Sequence, residues 1–106
     1  MPTISRGAAL QTVVTTFEVN PGTCQDLLDL LQEAYEGFIR RQPGFIAAAL
    51  HVNDAQTRIA SYSQWRSRED FLAMLRSGEM RARNRAITSL CRSFEPVMYD
   101  VAESYG

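Results

Sequence analysis

Hydrophobic and polar positions alternate in several segments of the chain, and this pattern predicts four strands. Ala8 to Val19 alternates and is rich in the strand formers valine and threonine. Phe45 to Val52 is an apolar run between turn-forming residues, and Thr57 to Trp65 alternates again after a short hairpin connection. A last strand is predicted from Phe94 to Ala102, where Pro96 favours an edge position.

Apolar residues spaced three and four apart predict two helical regions between these strands. Thr23 is predicted to cap the first helix, whose apolar positions continue to Ile39. Ser67 is predicted to cap the second helix in the same way. Gly78 is expected to interrupt that second helix before a further helical stretch from Met80 to Cys91.

The order strand, helix, strand, strand, helix, strand predicts an α+β fold of the ferredoxin-like type. Such a fold has a four-stranded antiparallel sheet with the helices on one face. The opposite face is bare, and a small bare sheet is usually covered by a second copy of the chain. We therefore expect a homodimer formed through the sheet faces. Residues 1–7 are predicted to be a flexible tail, and residues 8–106 a single domain.

Length and charge narrow the function classes. A chain of 106 residues with a formal charge of −1 has the size of one domain and lacks the basic excess of a general nucleic-acid binder. All eleven basic residues are arginines. The absence of lysine excludes a Schiff-base lysine, a pyridoxal-phosphate lysine and a P-loop lysine.

The remaining composition predicts neither a metal site nor a membrane span. Cys24 and Cys91 lie far apart and His51 is the only histidine, so the spacing of a zinc site is absent. No run of about 20 apolar residues is present, and the N-terminus lacks the apolar stretch of a signal peptide. We expect a cytoplasmic protein without membrane partners.

Four short motifs lie in order around the predicted elements. They are Pro-Gly-Phe at 43–45, Leu-His at 50–51, Tyr-Ser-Gln-Trp-Arg-Ser at 62–67 and Tyr-Asp-Val at 99–101. With these motifs the chain resembles the antibiotic biosynthesis monooxygenase family of dimeric α+β barrels, from about Val13 to Val101. The fold itself hosts several activities, so the substrate needs separate evidence.

The resemblance implies an oxygenase that acts on a polycyclic aromatic polyketide in antibiotic or secondary-metabolite biosynthesis. Members of this family form quinones with molecular oxygen and without a bound cofactor, so no cofactor or metal is expected. The protein then has to supply an apolar cavity, groups that stabilise an oxyanion, and exclusion of water.

Three alternatives remain open at this stage. The first is hydroxylating or ring-cleaving oxygenation that consumes reduced flavin from a separate flavin reductase. The second is haem degradation, which is disfavoured because no histidine follows His51 to ligate iron from the second helix. The third is a non-catalytic, cyclase-like dimeric barrel that binds a polyketide without converting it.

The resemblance also implies candidate catalytic residues. The family tryptophan corresponds to Trp65, whose indole N–H would hold a substrate or peroxide oxygen. Ser61 stands where the family often has an asparagine, and a family arginine corresponds to Arg83 or Arg85. His51 is a candidate general base, because the reference pKa of histidine, about 6.5, suits neutral pH.

Further polar and apolar residues are candidates for binding the substrate. Phe71 stands where the family has a tyrosine, which removes one polar group from the expected site. A structural role stays open for each candidate, since Trp65 also suits a core and the arginines also suit an ion-paired surface facing the acids of the first helix. The predicted substrate-binding residues are Tyr35, Phe38, Ser63, Phe71, Met74, Met80 and Asn84.

Overall fold

The strands and helices of the structure, a computed structural model, follow the predicted order, with a third helix where the second region breaks. The structure describes residues 10–106, so the predicted tail at 1–7 and the first two residues of the first predicted strand lie outside the described residues. The elements are β1 (Gln11–Glu18), α1 (Pro21–Gly37), a 3₁₀ turn (Ile39–Arg41), β2 (Phe45–Val52), β3 (Arg58–Trp65), α2 (Arg68–Arg76), α3 (Gly78–Leu90) and β4 (Ser93–Tyr99).

The four strands form one antiparallel sheet in the order β2-β3-β1-β4. This confirms the predicted ferredoxin-like α+β fold. β4 lies at an edge, which agrees with Pro96, since proline cannot donate a ladder hydrogen bond. β4 ends at Tyr99, three residues before the predicted end.

The register of the sheet decides which side chains face the helices. Ser63 lies opposite Val13 and Ala48, and Ser61 lies opposite Thr15 and Leu50. Successive side chains of a strand point to opposite faces, so these residues share one face. Ile59, Ser61, Ser63 and Trp65 are all buried on that face. The core fills the space between this face and the helices.

The start of α1 differs from the prediction. The helix begins at Pro21 with Asn20 as its N-cap, so the predicted cap at Thr23 is wrong. Proline suits the first helical position, because its φ is already helical and its missing N–H would have had no partner there. Thr23 lies inside the first turn, where its hydroxyl donates to the Asn20 carbonyl at 3.3 Å.

Two serines set the starts of the later helices. The Ser67 hydroxyl oxygen accepts from the backbone N–H of Asp70 at 3.1 Å, which confirms the predicted cap. Ser77 accepts from the N–H of Met80 at 3.2 Å in the same manner. The helix therefore breaks at Ser77, and Gly78 is the first residue of α3 rather than the interruption itself.

Gly44 forms the tight turn that leads into β2. Its φ of +84° lies in the left-handed region, which favours glycine. Its carbonyl accepts from the backbone N–H of Arg66 at 2.8 Å, and the Asp70 side chain occupies the place of a Cβ atom. This turn fixes Phe45 beside Trp65 at the end of the sheet. Along residues 10–106, no helix is both long and apolar enough to cross a membrane.

Candidate active site

A small internal cavity lies between the helix-facing side of the sheet and the helices. Its volume is about 60 Å³. Three of the four lining residues of β1 and β4 and most of those from the helices are apolar, with a few polar groups between them. The lining residues are Thr15, Phe17, Leu31, Tyr35, Ile39, Ser61, Ser63, Phe71, Met74, Leu75, Met80, Asn84, Ile87, Phe94 and Pro96.

The main polar contact in this wall joins a helix to a strand. The hydroxyl oxygens of Tyr35 in α1 and Ser61 in β3 lie 2.6 Å apart. Burial raises the pKa of the Tyr35 phenol, and hydrogen bonds to Ser61 and Ser63 act in the opposite direction more weakly. The phenol is therefore neutral at neutral pH and able to donate a hydrogen bond to an oxyanion.

Trp65 lies behind the cavity wall. Its side chain is fully buried, and its indole N–H donates to the Ser63 hydroxyl at 3.1 Å. Phe45 and Phe71 pack edge-on against its ring, with centroid distances of 5.4 Å and 5.8 Å. This bond occupies the N–H that was expected to hold a substrate or peroxide oxygen. The indole instead fixes Ser63, which does line the cavity.

His51 is placed away from the cavity. It is exposed and lies opposite Ala60, on the sheet face that the helices leave bare. Leu50, one residue earlier, lies opposite Ser61 on the helix-facing side, so the strand turns His51 to the other face. This corrects the expectation that His51 belongs with Ser61 and Trp65 in one site.

The predicted arginines of α3 lie outside the cavity wall. The Arg83 guanidinium donates to the Glu79 carboxylate through two nitrogens at 3.1 Å and 3.0 Å, so its ion pair is with its own helix rather than with α1. Arg85 is exposed and borders an open surface pocket. Asn84 reaches the cavity instead, because it follows Met80 by four residues and so lies on the same face of the helix.

The remaining predicted substrate-binding residues also divide into those that line the cavity and those that do not. Phe71, Met74 and Met80 line the cavity as predicted substrate contacts would, whereas Phe38 packs on the core and leaves the lining to its neighbour Ile39. Sequence reasoning missed eight lining residues, which are Thr15, Phe17, Leu31, Ile39, Leu75, Ile87, Phe94 and Pro96. The alternation of β1 held a usable signal for Thr15, because it shares a face with Val13 and Phe17.

The chemistry of the wall is that of a hydrogen-bonding apolar site. Among residues 10–106 no group of three or more His, Cys, Asp or Glu side chains is arranged to hold a metal ion. In the described cavity wall Tyr35 is the ionisable residue, and no histidine or carboxylate lines it. Such a wall can bind an apolar molecule and donate hydrogen bonds to its oxygen atoms.

Known proteins resemble this chain in sequence and in fold. The antibiotic biosynthesis monooxygenase family matches residues 10–86. The chain is 34% identical over 106 residues to tetracenomycin-F1 monooxygenase from Streptomyces glaucescens, which covers 100% of this chain and 94% of that protein.

Solved structures agree with this match. The monooxygenase from the gene ActVA-Orf6 of Streptomyces coelicolor, in complex with the ligand nanaomycin D, is 26% identical with a TM-score of 0.77 over 90% of this chain and 89% of that one. SnoaB, a cofactor-independent oxygenase from Streptomyces nogalater, has the same fold, with a TM-score of 0.81 at 20% identity over 92% of this chain and 97% of that one.

Proposed function

The chain belongs to the antibiotic biosynthesis monooxygenase family and is a monooxygenase, and from this premise we propose that it oxygenates a fused-ring aromatic polyketide to a quinone without a bound cofactor. The observation that carries the proposal is the cavity wall, in which the hydroxyls of Tyr35, Ser61 and Ser63 stand among apolar side chains. The relative that acts on tetracenomycin F1 supports the same substrate class.

The proposed reaction needs a substrate that is itself electron-rich. An anthrone-type ring loses a proton from its CH₂ group and becomes an enolate. The enolate passes one electron to oxygen, the two radicals combine to a peroxide, and the peroxide loses water to leave a carbonyl. One CH₂ group and one O₂ thus yield one C=O group and one H₂O.

The residues of the wall stabilise the anionic stage in this proposal. A neutral Tyr35 phenol donates a hydrogen bond to the enolate oxygen, and the Ser63 hydroxyl, which accepts from Trp65, turns its own proton from Tyr35 to the same oxygen. These bonds are stronger in an apolar, water-poor cavity than in water. Tyr35 and Ser63 therefore lower the pKa of the bound substrate.

The proton from the substrate goes to water in this proposal. Neither His51 nor an arginine lines the described cavity wall, and arginine stays protonated at working pH and is a poor base. A substrate whose own pKa falls on binding needs no strong base from the protein.

The test is oxygen consumption with 1,8-dihydroxyanthrone as the substrate, with heat-inactivated protein to measure spontaneous oxidation. We expect one O₂ consumed per quinone formed, with no dependence on added flavin. A strict requirement for NADH and a flavin reductase would replace this proposal by the flavin-dependent alternative. Binding of several such anthrones without oxygen uptake would contradict catalysis on this class.

The assembly and location are part of the proposal. We expect a homodimer through the bare sheet face and a cytoplasmic location, where polyketide intermediates are formed. Val14, Tyr62 and Val97 support the dimer, because they lie side by side on that face and are only partly buried.

A further inference from the structure

We propose that the groove between α1 and the edge strand β2 is an outer part of the substrate site, and that it binds the hydroxyl- and carbonyl-bearing end of a flat, fused-ring aromatic. This inference rests on the proposed function, because it assigns the part of the substrate that the internal cavity does not hold.

The sizes of the two spaces motivate the inference. The internal cavity measures about 60 Å³, enough for water but far below the roughly 300–1,000 Å³ of sites for drug-sized ligands. The groove measures about 410 Å³, which lies within that range. A fused-ring ligand therefore extends into the groove unless the whole core moves apart.

Tyr35 connects the two spaces. Its side chain lines the groove on one side and the internal cavity on the other. Its hydroxyl is held by Ser61 at 2.6 Å, and its ring lies 6.2 Å from the ring of Phe45, which also lines the groove. A rotation of this one side chain, with the loss of its hydrogen bonds to Ser61 and Ser63, would join the groove to the cavity.

The strand side of the groove suits a flat ring. Three consecutive alanines, Ala47, Ala48 and Ala49, form its middle, and Phe45 and Leu50 stand at its ends. Alanine carries no bulky side chain that would prevent a plane from lying against the strand. Phe45 adds an aromatic ring, and aromatic rings pack well against each other beyond the area that they bury.

The helix side supplies both kinds of hydrogen-bonding group. Gln32 and Glu36 are four residues apart on one face of α1, and Arg40 follows in the 3₁₀ turn. A carboxylate accepts from a hydroxyl, a guanidinium donates to a carbonyl, and an amide does both. Within the described chain no carboxylate forms an ion pair with Arg40, so its donors are free for a ligand.

A second opening on the other side of the cavity fits such a ligand less well. Asn84 borders the cavity and also an outer pocket lined by Arg81, Asn84, Arg85 and Thr88. All four come from α3, so this pocket lacks the apolar wall that a fused ring requires. The groove beside β2 combines such a wall with polar groups opposite it.

The test compares two charge-neutral double variants in equilibrium binding, with quenching of the fluorescence of Trp65, the only tryptophan, as the readout. Glu36→Gln with Arg40→Gln alters the groove. Glu33→Gln with Arg41→Gln alters neighbouring exposed residues that do not line it. The probes are 2,6-dihydroxyanthraquinone, which has a hydroxyl at each end, and unsubstituted 9,10-anthraquinone.

We expect the groove variant to bind the dihydroxy probe about fivefold more weakly than the wild type, as for an exposed polar contact. Its loss of affinity for the unsubstituted quinone, which has carbonyl groups but no hydroxyl, should be smaller, and both affinities of the control variant should stay at the wild-type value. Equal affinity of the groove variant and the wild type for the dihydroxy probe, or equal losses in the two variants, would overturn the proposal.

These binding results are independent of turnover. Oxygen uptake by the wild type together with unchanged binding in the groove variant would refute the groove and leave the oxygenase intact. Weakened binding in the groove variant without oxygen uptake by the wild type would refute the oxygenase and leave the groove as a ligand site.

Discussion

The phenolic oxygen of Tyr35 lies 2.6 Å from the hydroxyl oxygen of Ser61, so one hydrogen bond joins α1 to the central strand β3 across the cavity. The family resemblance places an asparagine at Ser61 and a tyrosine at Phe71, and this chain lacks both groups. The structure shows a phenol in the same cavity, but it comes from the first helix.

Replacing Tyr35 by phenylalanine tests this pair directly. Tyr35→Phe keeps the ring and removes the hydroxyl, so we expect oxygen uptake to fall about 100-fold, as for the loss of one oxyanion donor. Stability should fall by about 1 kcal/mol, because Ser61 loses its partner. Tyr62→Phe, on the opposite sheet face, is the control and should change turnover little. Equal turnover in both variants would remove Tyr35 from the mechanism.

The raised pKa of Tyr35 predicts a pH dependence of stability. The pKa of the phenol is higher in the folded chain than in the unfolded one, so the unfolded chain loses its proton first as the pH passes its value of about 10, and this loss favours unfolding. The contribution of this group is complete below that pH and is lost as the pH rises toward the folded value. Urea unfolding at pH 8 and pH 10.5 should therefore show a smaller stability gap between wild type and Tyr35→Phe at the higher pH. A gap that widens would contradict the assignment.

The hydrogen bond from Trp65 to Ser63 predicts that these residues act together. We expect Trp65→Phe to reduce turnover by about as much as Ser63→Ala, with the double variant hardly worse than either, since residues that act as a unit are non-additive. Trp65→Phe should also cost about 2 kcal/mol of stability, because it leaves space between Phe45 and Phe71. Losses in kcat that simply multiply in the double variant would show independent roles.

The turn at Gly44 predicts a large effect of a small substitution. Gly44→Ala should lower the free energy of unfolding by about 2 kcal/mol or more, because alanine is strained at a φ of +84° and its Cβ meets the Asp70 side chain. Gly22→Ala is a matched control, since no atom lies within 4 Å of the added Cβ. Thermal unfolding of both variants measures the difference, and similar midpoints would contradict it.

The bare sheet face predicts the effect of a charge on assembly. Tyr62, Val14 and Val97 lie in register across β3, β1 and β4. Burial of a carboxylate in such an interface is costly, so Val14→Glu should yield monomers at a concentration where the wild type is dimeric. Ala86→Glu, on the exposed side of α3, should stay dimeric. Light scattering after size-exclusion chromatography distinguishes the two, and a monomeric wild type would refute the sheet-face dimer.

The clearest difference between sequence and structure concerns His51. The alternation of β3 groups Ile59, Ser61, Ser63 and Trp65 on one face, and the structure shows that this face meets the helices. β2 begins as an unbroken apolar run, and its register shifts between Phe45 and Ala47. A run without alternation does not indicate which side faces the core, so only pairing with β3 shows that His51 points away from it.

Local chemistry alone determined the order of elements, the antiparallel α+β sheet, the cap at Ser67 and the division of β3 into two faces. Periodicity and turn formation depend on residues that are close together in the chain, so both can be recognised in the sequence. The tertiary structure decided that Tyr35 meets Ser61, that Trp65 is bound to Ser63, and that Asn84 rather than Arg83 or Arg85 reaches the cavity. These contacts depend on how α1 and α3 pack across the sheet, and packing joins residues that are far apart in the chain.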